Sequence, residues 1–381
     1  MTVIYAILLV LLMVPAAIVC TDYISNKWNG LKRFHIGHWQ SQEEWQQAVK
    51  KIAYKWLKKT PVVKKTDRNS YLLLDWIKGS NRSNTIQSWQ QAGLILGIHC
   101  MDEPKSREAI AAWKEKTFDE NGMWKEPVAK VDFAMLAYAA LKTERDPNRI
   151  RAAMDWTVRM LEENLCGDGM ISYSQGKDSQ IRFVDTLGMI CPFLALYGET
   201  YRDERSVQMA YYQIKRYREL GRYPGTQLLC HAVNAEENLP LGVFGWGRGT
   251  VWYLIALTDT YPELREGMLK QNVKTWMAEA AEAYREFQKE DGGFFTILQG
   301  GGQYDSSVTA GMAFFYRRAA QILEKAEYAA VADKCIARLM KVTMRNGAVD
   351  QCQGDTHGIG IFSQVYDVMP FVQGLVLRAI K

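Results

Sequence analysis

The chain has 381 residues, enough for one large domain or two ordinary ones, and 48% of them are apolar, which is ample for a core. Its 23% charged residues and formal net charge of +5 include no concentrated basic block or interleaved aromatic stripe of the kind that tracks phosphates, so no nucleic-acid partner is expected. The seven cysteines are odd in number and scattered, with no Cys-x-x-Cys pair, and describe neither a disulfide framework nor a structural zinc site.

Val3 to Cys20 is an uncharged apolar run near the lower length limit for crossing a bilayer. A signal peptide usually opens with positive charge and closes on small residues. Here no Lys or Arg precedes Val3, and Ala16-Ala17 is the only small pair. Basic residues follow the run, at Lys27, Lys32 and Arg33, and by the positive-inside tendency they keep the remaining chain on the cytoplasmic side. Unpaired cysteines agree with a reducing compartment. We therefore expect an uncleaved membrane anchor in residues 1–26, followed by one domain over 27–381.

From Gln42 onward apolar residues recur at three- and four-residue spacing. The pattern predicts helices at Trp45–Trp56, Ser106–Thr117, Phe133–Lys142, Arg149–Asn164, Thr186–Tyr201, Ser206–Leu220, Thr250–Thr260, Val273–Gln288, Thr309–Leu323 and Ala329–Thr343. Sustained two-residue alternation is absent, so the fold class is all-α. Between helices one loop type returns, at Asn121-Gly122, Asp168-Gly169, Asp291-Gly292 and Asn346-Gly347, at intervals of 47, 123 and 55 residues. The long interval spans two units, and one unit is then a helical hairpin. About six units fit between Gln42 and Lys381, and an (α/α)6 barrel is the economical arrangement. Gly300-Gly301-Gly302 reads as a flexible loop near the barrel mouth.

Asp132, in Lys130-Val131-Asp132-Phe133, and Asp185, in Phe183-Val184-Asp185-Thr186, both fall where a loop enters a helix. The plain explanation of each is a helix N-cap. Their apolar surroundings allow another, because desolvation raises one carboxyl pKa while a partner keeps its charge, and such a pair supplies both acid and base. Further on, Trp246-Gly247-Arg248-Gly249-Thr250-Val251-Trp252 sets a guanidinium between two tryptophans. Tryptophans at helical spacing usually pack in a core, and arginine often pairs with a structural carboxylate. Glycines on either side of Arg248 favour close approach of a ligand to the backbone, and the guanidinium offers a forked donor to a carboxylate. The 12 tryptophans and 19 tyrosines suit sugar binding, since ring faces stack on pyranose C–H groups.

Together Asp132, the stretch Asp185-Thr186-Leu187-Gly188-Met189, His231 and the Trp246–Trp252 motif resemble the unsaturated uronyl hydrolases of glycoside hydrolase families 88 and 105. The resemblance covers roughly Gln42 to the C terminus. It implies the same (α/α)6 barrel and removal of a 4,5-unsaturated uronic acid from the non-reducing end of an acidic oligosaccharide. It further implies Asp185 as general acid/base and Asp132 as its partner, with His231 and Arg248 holding the uronate or neighbouring oxygens. Trp246 and Trp252 would form stacking walls, and His357, in Asp355-Thr356-His357-Gly358, would lie at the mouth. No metal or cofactor is required. Two positions depart from the family pattern, with Thr250 where asparagine is usual and Asp305 where glutamate is common. Thr250 and the anchor motivate a rival reading, a membrane-tethered, non-catalytic protein for glycan binding or polysaccharide assembly. A sugar epimerase on the same barrel would need two placed histidines, for which only His231 and His357 are available. Cys230-His231 with Cys191 resembles the zinc ligands of helical-toroid lanthionine cyclases, but a buried cysteine beside a substrate-binding histidine is the preferred reading. The sequence leaves the oligomeric state open.

Overall fold

The computed structural model describes residues 2–59, 61, 87–173 and 179–381. Thirteen α-helices run in chain order among the described residues, and all but the first belong to a double ring. The outer helices are α2 (Gln42–Lys58), α4 (Pro104–Thr117), α6 (Arg151–Glu162), α8 (Glu204–Gly221), α10 (Met268–Arg285) and α12 (Ala326–Lys341). The inner helices are α3 (Ser88–Cys100), α5 (Phe133–Lys142), α7 (Val184–Tyr201), α9 (Gly247–Thr260), α11 (Ser306–Ile322) and α13 (Pro370–Ala379). Each inner helix packs on the next, and α13 packs on α3 to close the ring, giving the expected (α/α)6 barrel.

The two rings differ in sequence for a physical reason. Outer helices bury one stripe and show a polar face to water, as in α6, where Ala153, Met154, Thr157, Val158 and Leu161 point inward. Inner helices are covered on all sides, and α9 is buried from Gly247 to Thr260. Closure of the ring depends on close backbone approach. A Cβ on Gly97 would lie 2.6 Å from the Gly374 Cα, and one on Gly93 would lie 2.9 Å from the Phe371 Cα.

After each of five outer helices the chain makes the same turn before entering an inner helix. Its glycine has positive φ, at Gly122 (73°), Gly169 (78°), Gly225 (75°), Gly292 (90°) and Gly347 (89°). Four are the Asp/Asn-Gly turns legible in the sequence. The fifth, in Tyr223-Pro224-Gly225-Thr226, divides the long interval and was hidden because Pro-Gly replaces the Asp/Asn-Gly signature.

Among the described residues, seven short strands decorate the end of the barrel where the inner helices begin. The first three, β1 (Ile181–Phe183), β2 (Ala232–Asn234) and β3 (Leu239–Leu241), form an antiparallel sheet in that order. Two hairpins follow, β4 (Phe295–Ile297) with β5 (Gly301–Tyr304), and β6 (Cys352–Gln353) with β7 (Tyr366–Asp367). The glycines at 300–302 thus turn and enter a paired hairpin, where the sequence had predicted only a flexible loop.

The first helix, α1 (Thr2–Lys32), stands outside the ring. Its segment Thr2–Ile24 is long and apolar enough to cross a membrane, and no residue of its apolar run from Val3 to Cys20 is buried.

Candidate active site

Because inner helices all begin at one end, their first turns converge there around a cavity of about 570 Å³. Trp89 and Asp185 are the second residues of α3 and α7, Asp132 is the N-cap of α5, and Arg248 is the second residue of α9. Helix N-termini pointing at a cavity make it hospitable to anions. The loop from Asp355 to Gly358 forms another wall. All seven residues singled out in the sequence, Asp132, Asp185, His231, Trp246, Arg248, Trp252 and His357, line this one cavity.

Neither aspartate acts as a helix cap. Asp132 sits at the N-cap of α5 but makes no side-chain capping bond, and Phe183 rather than Asp185 occupies the cap of α7. Asp132 accepts a hydrogen bond from the Tyr173 hydroxyl at 3.3 Å through Oδ2, while its Oδ1 is buried with no hydrogen-bond partner among the described residues. Burial is the main reason its carboxyl lies above the usual carboxylate range. Asp185 is the more perturbed. Its Oδ1 is also buried and unpartnered among the described residues, and burial pushes the carboxyl up to about 7, with Arg248 opposing that rise and Asp355 adding to it.

Arg248 donates to the backbone carbonyls of Gln353 and, at 2.7 Å, Gly354, and its guanidinium lies over the Trp246 ring at 5.5 Å. Carbonyls rather than a carboxylate therefore hold it, so its charge is not neutralised by the contacts that fix its position. His231 accepts the Gly360 N–H at Nδ1, 3.2 Å away, which assigns its proton to Nε2. Burial, then Arg248, lowers its pKa to about 4, so it is a neutral donor at physiological pH.

The tryptophans are less open than stacking walls require. Trp246 is 2% exposed, stacked on Phe362 at 5.2 Å and packed on His231 at 4.4 Å; Trp252 is 2% exposed and stacked on Phe371 at 4.7 Å. Their aromatic faces mainly support Arg248, His231 and the inner ring. His357 is exposed at the rim. The two residues that depart from the family pattern are not among those lining the cavity. The Thr250 hydroxyl donates to the Trp246 carbonyl within its own helix, and Asp305 caps α11 by accepting the Ser307 and Gln353 N–H groups.

Several lining residues escaped the sequence reading. Trp89 and Tyr173 have no motif around them, while Lys130 and Asp355, which accepts from Gln87 at 3.1 Å, enter the sequence reading only as neighbours of Asp132 and His357. Only the polar sequence Asp355-Thr356-His357 gave a signal for that wall.

Comparison with known proteins follows the same lines. Residues 48–379 match the model of Glycosyl Hydrolase Family 88. The chain belongs to glycoside hydrolase family 88. No curated protein sequence matches this family 88 chain. Its fold is similar to that of a possible member of glycoside hydrolase family 105 from Salmonella enterica serovar Paratyphi A, with 18% identity, 90% of this chain and 94% of that chain covered, and a TM-score of 0.73. A possible family 105 member from Klebsiella pneumoniae gives 19% identity, coverages of 89% and 92%, and a TM-score of 0.72. The unsaturated glucuronyl hydrolase responsible for degradation of glycosaminoglycan from Bacillus sp. GL1 gives 18% identity, coverages of 88% and 96%, and a TM-score of 0.64.

Proposed function

We propose that this family 88 glycoside hydrolase removes a 4,5-unsaturated uronic acid from the non-reducing end of an acidic oligosaccharide by hydrating its double bond. The observation that carries this reading is the Asp185 carboxyl, pushed up to about 7 inside an anion-friendly cavity. A group balanced between its two protonation states near neutral pH serves equally as donor and acceptor.

In this mechanism Asp185 delivers its proton to C4 of the vinyl ether, and positive charge develops at C5 and the ring oxygen. The resulting Asp185 carboxylate takes a proton from water as that water adds at C5. The hemiketal so formed opens at the C5–O5 bond, leaving a ketone at C5 and a hemiacetal at C1, which collapses to an aldehyde and releases the remaining saccharide as an alcohol. Asp132, oriented by Tyr173, holds the sugar hydroxyls as the partner carboxylate of Asp185. Arg248 binds the uronate, His231 donates from Nε2 to a neighbouring oxygen, and Trp246 and Trp252 hold these groups in place. The route differs from the two-carboxylate displacement of ordinary glycosidases, because the carbon–carbon double bond is the site of protonation.

The test is ultraviolet absorbance of the conjugated uronate double bond, followed on lyase-generated unsaturated disaccharides. Steady loss with wild type and its disappearance with Asp185→Asn is the expected result. Binding without any loss of absorbance would favour the non-catalytic rival, although Thr250, which partly motivated that rival, spends its hydroxyl within its own helix.

We further propose that Thr2–Ile24 is an uncleaved anchor. The basic residues after it, Lys27, Lys32 and Arg33, favour a cytoplasmic barrel. Membrane fractionation with an intact amino terminus is expected; a soluble, shortened chain would overturn it.

A further inference from the structure

The anchor helix does not end in an open linker. It continues as helix to Lys32, and the next residue, Arg33, is bound to Asp350 and, at 3.3 Å, to Asp367. Both partners belong to the β6–β7 region, whose Gln353 and Gly354 hold Arg248 and whose continuation, Asp355, lines the cavity. Gly37 donates to the Thr343 carbonyl at 2.9 Å, and Ile36 and Trp39 pack on the core. The helix is therefore fastened to the same end of the barrel as the cavity mouth. From Ile24 to Arg33 the helical rise is only about 14 Å, and the interfacial region of a bilayer takes up about half of that distance.

A second observation is independent of this attachment. Ile24, Trp28 and Leu31 are spaced as one helical face, and each is 63% exposed although the apolar span ends at Ile24. The exposed apolar surface then continues around the mouth, with Phe34, Val128, Tyr223, Leu239, Val243 and Ile361 all in segments at that end of the barrel. Outside α1, Phe34 and the described barrel's opposite-end Met268 are each 75% exposed, so the difference between the ends lies in number. A rim of exposed apolar side chains beside a basic, aromatic-bearing helix is suited to a bilayer interface, where aromatic rings settle at headgroup depth and lysines face anionic lipid.

We infer that the mouth end of the barrel docks on the lipid surface, so that the enzyme works on acidic glycans held at or close to that surface. This rests on the anchor and substrate proposals above. Docking turns the cavity toward glycans carried on short membrane attachments and leaves the opposite end in solution.

Hydrogen exchange on the full chain in vesicles containing anionic lipid tests the docking without relying on turnover. Residues 236–243 and 357–361 should exchange about tenfold more slowly in wild type than in the Leu239→Glu/Ile361→Glu variant, while residues 143–148 and 263–267 at the opposite end stay unchanged. Equal exchange of the mouth loops in both proteins, or protection only at the opposite end, would overturn the docking. A second arm offers the unsaturated disaccharide free in solution, joined directly to a lipid headgroup, or joined through a long polyethylene glycol spacer. Wild type should consume all three, and the double variant should lose at least tenfold on the direct conjugate only. Consumption of the free and long-spaced forms without the direct conjugate would overturn the inference and leave the reaction standing; failure on all three with protected mouth loops would overturn the substrate assignment instead.

Discussion

The lining of the mouth cavity and the opposite end of the barrel hold charge in opposite ways. The end away from the mouth contains a cavity of about 590 Å³, slightly larger than the one at the mouth, so volume alone does not mark the site. At that end each buried charge meets a counter-charge: Lys114 with Glu144 at 3.0 Å, Lys142 with Glu263 at 2.7 Å, and Arg378 with Asp259 through a fork of two bonds. At the mouth, Asp132 and Asp185 each keep one buried oxygen without a hydrogen bond among the described residues, and Arg248 is fixed by carbonyls. Paired charges at the opposite end are committed to structure, whereas the lining of the mouth cavity leaves Asp132, Asp185 and Arg248 poised for a ligand.

Unpairing the buried charges at the opposite end should have the largest effect. Arg378→Met leaves the Asp259 carboxylate buried without its fork, and the expected loss is about 3–5 kcal/mol of stability. Urea unfolding measures it, and Arg378→Met/Asp259→Leu should recover much of the loss because neither charge remains. Turnover per folded molecule should be unchanged in both. A loss of activity without a loss of stability would mean that the opposite end takes part in the chemistry.

At the mouth the signs reverse. Asp185→Asn preserves shape but has no transferable proton, so turnover should fall by about 10²-fold or more. Single-turnover loss of the double-bond absorbance, with substrate binding measured separately, checks this. Undiminished turnover in the folded variant would remove Asp185 from its assigned role.

The same substitution should stabilise the protein, and the pH dependence identifies the cause. The Asp185 carboxyl is pushed from 3.8 up to about 7 on folding, so between those values the folded chain holds a proton that the unfolded chain has lost. The stabilisation from that proton is full below pH 4 and is lost as pH rises through 7. The shift corresponds to at most about 4 kcal/mol, and solvent reaching the carboxyl through the cavity reduces this to an expected 2 kcal/mol or so. The Tm advantage of Asp185→Asn over wild type should therefore be small near pH 4 and reach a plateau above pH 7. A constant advantage at every pH would point to packing instead of ionisation.

How far these contrasts were legible depends on the kind of signal each residue leaves. Phe133–Lys142 was predicted with its observed bounds, and the amphipathic outer helices were all recognised, because one wet face imposes a period. Inner helix α3 was missed, since Ser88–Cys100 is apolar on nearly every side and contains Gly93 and Gly97. The short strands left no alternation to read, because two to four residues complete less than two full periods. At the site, Asp185 and Arg248 were visible because each has an unusual local context. Tyr173 and Trp89 were not, because their place in the cavity arises only when separate hairpins come together. Helical spacing pointed Trp246 and Trp252 toward core packing, and the open stacking walls implied by the resemblance are largely covered by Phe362 and Phe371.

The smallest expected effect is also the finest test of the mouth, because it asks whether Arg248 acts on Asp185 through charge. The guanidinium opposes the rise of the Asp185 pKa, so removing it should raise that pKa further. If protonated Asp185 starts the reaction, kcat/KM falls on the alkaline side near pH 7, and in Arg248→Gln that limb should move to higher pH. KM should rise about tenfold as the uronate loses its cation, with a smaller change in kcat, in keeping with an interaction shared by ground and transition states. Arg248→Lys retains the charge but loses the forked geometry, so its KM should rise while the limb stays near 7. If the limb does not move in Arg248→Gln, the guanidinium positions substrate without tuning the acid, and the balance at Asp185 belongs to burial alone.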